Sequence, residues 1–169
     1  MTSFRVATIL ALSAGWLMAT ALPASAQQMV GGWSLVCQQP ANSGNTCAAS
    51  QGLSNDATAM VVRASGIGLN LELVLGPNRG SPTDVIFYSG ARQAGRFDAG
   101  QIFFSGREGD TRRFRLTGST EVRGTLDAML RSDSLVVSVD YATGESDSFT
   151  LQTAETISLF TAIREVVDF

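Results

Sequence analysis

Leu69, Leu71, Leu73 and Leu75 are separated by single residues, among them Asn70 and Glu72. A period of two puts the leucines on one face of an extended strand and the polar residues on the other. Most of the chain follows the same rule in short runs separated by Gly-containing segments. The runs are 33–37, 46–51, 59–64, 69–75, 85–89, 101–105, 112–117, 134–141 and 148–152. Gly76-Pro77-Asn78-Arg79-Gly80-Ser81-Pro82 is the strongest turn cluster, and residues 92–100 read as a connection. The last two runs form a hairpin around Ala142-Thr143-Gly144-Glu145. Two stretches have helical spacing. Leu126, Met129 and Leu130 predict about two turns over 125–132. Leu159, Ile163 and Val166 predict a helix over 155–167, with Thr153 as its N-cap. About nine strands and two helices, with no repeat or linker, predict a mainly β fold. The architecture is a single antiparallel β-sandwich or barrel-like domain with a C-terminal helix covering an edge or open end.

Residues 1–26 read as a secretory signal peptide. Arg5 precedes an apolar stretch over 6–22, Pro23 ends it, and Ala24-Ser25-Ala26 gives the small-x-small cleavage pattern. The β-rich domain is then 27–169, in the periplasm or outside the cell. No other stretch is long and apolar enough to span a bilayer. Cys37 and Cys47 are the only cysteines. In an oxidising compartment they read as one disulfide, because the turn-rich residues between them let the chain double back.

Composition excludes whole classes of chemistry. All 12 basic residues are Arg, and neither Lys nor His occurs. Without His there is no His-based triad and no His-ligated zinc. Without Lys there is no Schiff base and no P-loop lysine. Cleavage after Ala26 removes Arg5 and leaves 11 Arg against 15 acids, a net charge of −4. That acidity argues against nucleic acid as a partner.

The remaining chemistry would have to come from carboxylates or Arg. Glu72, Asp84, Asp98, Glu108, Asp110, Asp140 and Glu145 are the candidates for a glycosidase-like pair. The plainer reading is that they solvate the surface. No calcium-loop pattern and no G-x-S-x-G is present, so no cofactor and no catalytic residue is assigned. Arg107, Arg112, Arg113 and Arg115 form the one basic cluster. Arg113 and Arg115 share a strand face, with Phe114 and Leu116 opposite. Such a row suits lipid head groups or a partner's acidic patch, since Arg holds carboxylate and phosphate in a bidentate way. The plainer reading, and the one favoured, is a solvated strand face balanced by Glu108, Asp110 and Glu121. Trp33 reads as a core residue near the disulfide.

Two ends of the chain resemble the invasion-associated locus B family of secreted bacterial proteins. G-G-W-S-L-V-C (31–37) and C-A-A-S-Q (47–51) resemble that family's W-x3-C followed by C-x3-Q. M-L-R-S-D-S-L-V-V-S-V and F-T-L-Q-T-A-E-T-I-S-L-F-T-A-I-R-E-V resemble its closing strand and helix. A second cysteine pair, usual in the family, is missing. The resemblance implies a β-rich envelope protein, carries over no catalytic residues, and leaves any invasion role open. The function expected is non-enzymatic contact with an unknown protein or envelope component. The alternative is a small secreted β-barrel protease inhibitor acting through a protruding segment at 27–32.

Overall fold

The computed structural model describes residues 27–40 and 44–169. The signal-peptide stretch at 1–26 lies outside the described residues. Eleven strands and two helices are described. In chain order the strands are β1 (Gln27–Val30), β2 (Trp33–Gln38), β3 (Thr46–Gly52), β4 (Ala59–Ser65) and β5 (Gly68–Leu75). Then come β6 (Pro82–Ser89), β7 (Arg92–Asp98), β8 (Ile102–Glu108) and β9 (Thr111–Leu116). Helix α1 (Ser119–Arg131) precedes the hairpin of β10 (Ser134–Tyr141) and β11 (Ser146–Gln152), and α2 (Thr156–Arg164) follows it.

The strands form two antiparallel sheets. One has seven strands in the order β1-β2-β3-β4-β5-β9-β8, the other four in the order β11-β10-β6-β7. The architecture is therefore sandwich-like, with no closed barrel. The leucines of β5 point inward as their spacing requires, with Leu71, Leu73 and Leu75 fully buried. They meet Phe87 and Phe97 of the smaller sheet in one continuous core. Those two rings pack edge to face with centroids 5.9 Å apart. Trp33 is completely buried on the inner face of β2, as expected.

Two strands were not among the expected runs. Residues 92–98 form β7 rather than a connection. Its alternation is hidden because Gly95 occupies an inward position and brings no apolar side chain. That glycine admits α1. A Cβ at Gly95 would lie 2.2 Å from Thr125 Oγ1 and 2.9 Å from the Glu121 carbonyl. Gly124 makes the reciprocal approach, since a Cβ there would lie 2.5 Å from the Ala94 carbonyl. Residues 27–30 form β1, paired with β2 from Gln27↔Val36 to Val30↔Trp33.

Both helices differ from their expected bounds. Helix α1 begins six residues earlier than the Leu126-Met129-Leu130 spacing predicts. Val122 extends the apolar stripe, while Glu121 in the first turn and Arg131 in the last complement the helix dipole. Helix α2 is shorter than 155–167, and Thr153 is not its cap. The Thr153 hydroxyl instead donates to the Ser132 carbonyl at the end of α1. Leu159, Phe160, Ile163 and Val167 carry the C-terminal segment into the core.

Candidate contact surface

The two cysteines face each other directly across β2 and β3, in register Cys37↔Cys47, and are joined as a disulfide. Cys47 is buried and Cys37 is half-buried on the inner face. The bond therefore ties together two adjacent strands near one end of the seven-stranded sheet.

One cross-strand row on the outer face of that sheet spans all seven strands. It runs Met29, Ser34, Ser50, Val61, Glu72, Arg115, Phe103, one residue from each strand in β1-β2-β3-β4-β5-β9-β8 order. Glu72 points away from the leucines as expected, yet it is only 3% exposed. A carboxylate so enclosed needs a partner. Arg63 supplies it from β4, with Nε donating to Oε2 at 2.7 Å. Arg115, next in the row, has no salt bridge among the described residues and is exposed.

The four arginines of the basic cluster do not act as one surface. Arg113 and Arg115 lie on the outer face, and Arg113 is tied to Glu108 at the hairpin end. Arg112 turns to the inner side. It donates to the carbonyls of Arg79 and Gly80 and lies 5.7 Å from the Phe114 ring centroid. Arg112 thus anchors the 76–82 turn. Arg107 sits opposite Arg112 on β8 and is exposed.

Beside these arginines lie two residues of the expected 101–105 strand. Phe103 is 54% and Phe104 61% exposed. Neighbouring residues of a strand point to opposite faces, so the pair flanks β8 on both sides. Phe103 stands opposite Arg115, and Phe104 opposite Phe114, with ring centroids 5.8 Å apart. The adjacency of two Phe in one strand was the available signal, since one of them must turn away from the core.

The carboxylate candidates are dispersed. Asp84 binds Arg96 at 2.6 Å, Glu108 binds Arg113, and Asp140 accepts from the Ser146 hydroxyl at 2.6 Å. A different acidic group lies at the end of the sandwich. Arg79 bridges Asp56 and Asp147 and lies 5.3 Å from the Phe149 ring centroid. Hydrogen bonding from the Ser54 hydroxyl, against a smaller opposing effect of burial, holds the Asp56 carboxyl well below its ordinary range. Thr58 and Arg79 act in the same direction as Ser54. Nearby, burial pushes the Tyr141 phenol above its ordinary value. Among the described residues, no group of three or more Cys, Asp or Glu could hold a metal ion. A small groove of about 280 Å³ lies between α1 and the β6–β7 turn. Arg92, Asp127 and Arg131 line it with mixed charge.

The segment at 27–32 does not protrude as an inhibitor's would, because Gln27–Val30 is paired strand. No helix among the described residues is long and apolar enough to cross a membrane.

No protein-family model matches the chain, and no curated protein matches its sequence. Its fold is similar to a solved structure, that of invasion associated protein b from Bartonella henselae. The TM-score is 0.63 at 14% identity, covering 83% of this chain and 96% of that one. The two-sheet fold and the modest identity together make this a likeness of fold.

Proposed function

We propose that the chain is an exported, non-enzymatic protein of the invasion-associated locus B type that acts by contact with a protein or envelope surface. The observation that carries the reading is the pair Phe103 and Phe104, exposed on one strand beside Arg107 and Arg115. Elsewhere in the described chain the aromatic rings are buried or half-buried. Leaving two large rings in water is unfavourable unless something covers them. Burying about 100 Å² more of each ring contributes roughly 2–3 kcal/mol per ring.

Export is supported by the signal pattern at 1–26 and by the Cys37–Cys47 bond, which belongs to an oxidising compartment. A non-enzymatic role is supported by the dispersal of the carboxylates and by a composition without His or Lys.

Mass spectrometry of proteins captured from crosslinked periplasm tests the reading. The wild-type chain and the Phe103→Ser, Phe104→Ser double variant are compared. Specific partners held by the wild type and lost by the variant are the expected result. Identical partner sets for the two proteins would overturn it.

A further inference from the structure

Each sheet has two edges, and they differ in length and in what they expose. Helix α1 lies against β7, with Gly124 over the Ala94 carbonyl. Strand β11 exposes Ser146, Ser148 and Thr150 rather than large rings, and the Gln51 side chain bonds both backbone groups of Gln152 at its end. Strand β1 is four residues long. Strand β8 is seven residues long and has β9 as its one neighbour. Among the described residues, the backbone groups of 102–107 bond to nothing beyond β9.

Natural proteins guard such an edge with charge or a bulge. The far half of β8 has both, a register shift between Phe104 and Gly106 and then Arg107. The near half, Ile102-Phe103-Phe104, has neither and exposes two rings, one on each flank. Free backbone groups bordered by apolar flanks are what an added strand needs. Its main chain completes the ladder and its alternate side chains reach the flanking rings.

We propose that β8 accepts an extended segment of another polypeptide as an eighth strand, and that this segment alternates apolar with acidic residues. The inference rests on reading β8 as the contact surface. Charge selects the acid. Arg115 stands behind Phe103 with no salt bridge among the described residues, because its neighbour Glu72 is engaged by Arg63. Arg107 is likewise without one. A second copy of this chain paired through 102–107 would bring two more rings and another arginine but no acid to meet Arg115 or Arg107. Insertion into lipid would leave the open backbone groups unsatisfied.

The probe is a capped heptapeptide of alternating Val and Glu. Its comparators are the Val-Lys peptide and the Val-Glu peptide N-methylated at alternate residues. Binding is followed by anisotropy, and amide hydrogen exchange locates it. The Val-Glu peptide should slow exchange over 102–107 and bind about tenfold tighter than the Val-Lys peptide. Alternate N-methylation on the docking edge should abolish binding, since it removes the donors to the ladder. The Phe103→Ser, Phe104→Ser variant should weaken binding about tenfold, and Arg115→Glu should invert the preference for Glu over Lys.

Absence of binding, equal binding of the Lys peptide, or protection elsewhere overturns the proposal. So does protection of the same amides by phosphatidylglycerol vesicles or by self-association at high protein concentration, without peptide binding. Should the peptides fail while partner capture still depends on Phe103 and Phe104, strand addition falls and the contact reading stands.

Discussion

The Gln51 side-chain amide pairs with the backbone of Gln152 as a strand would, donating to its carbonyl at 3.0 Å and accepting from its N–H at 2.6 Å. The two residues belong to different sheets, so one buried side chain joins them. Gln51→Ala leaves two backbone groups without partners. It should destabilise the fold by about 2–3 kcal/mol. Gln51→Glu keeps the acceptor but loses the donor and buries a charge, so it should be no milder. Urea denaturation midpoints check both.

Gly95 and Gly124 set how closely α1 approaches β7. Gly95→Ala places a methyl against Thr125 and the Glu121 carbonyl, of which only the first belongs to a side chain able to turn. Overpacking of this kind should cost about 1–3 kcal/mol. The same substitution with Thr125→Ala removes the hydroxyl contact and should recover only part of the loss, because the Glu121 carbonyl is backbone. Thermal melts of the two variants make the comparison.

Most of the sheet was legible because burial on one face imposes a period of two. Leu69 to Leu75 and Phe114 with Leu116 are examples. Strand β7 was hidden because one of its two buried positions is a glycine, needed for helix contact rather than for strand formation. The start of α1 was hidden because Thr117, Gly118 and Ser119 resemble a turn. The contact surface was legible only in part. Arg113 and Arg115 share the predicted face, whereas Arg112 turns inward to hold a loop more than thirty residues away in sequence. No local pattern encodes that pairing, nor the one joining Arg79 to Asp56 and Asp147. The edge position of β8 depends on strand order, which alternation does not specify.

Asp56 should make stability depend on acid. Its carboxyl is held below the ordinary value of 3.8 by Ser54, Thr58 and Arg79. The ionised form is thus favoured in the folded state, and its contribution is complete above pH 3.8. That contribution declines as pH falls below this value, because the unfolded chain takes up the proton first. Asp56→Asn should flatten the loss of stability below pH 4 and lower stability at pH 7. Denaturant titrations at both pH values measure the two effects.

The Cys37–Cys47 bond closes a loop with a sequence separation of 10. Its removal by Cys37→Ser with Cys47→Ser should cost about 2–3 kcal/mol, chiefly by freeing the unfolded chain. Strand pairing of β2 with β3 should survive, because Leu35↔Ala49 and Ser34↔Ser50 pair without it. Guanidinium unfolding gives the loss, and amide exchange over β2 and β3 reports the pairing.

Contact through β8 is tested most directly by placing a photo-crosslinking phenylalanine analogue at position 103 or at position 67. Phe103 lies on the open edge, while Ile67 is 94% exposed in the β4–β5 turn, away from it. After irradiation of the intact envelope, position 103 should yield a discrete protein adduct and position 67 none. Adducts of equal yield at both positions, or adducts at position 67 alone, would contradict the assignment of β8 as the contact surface.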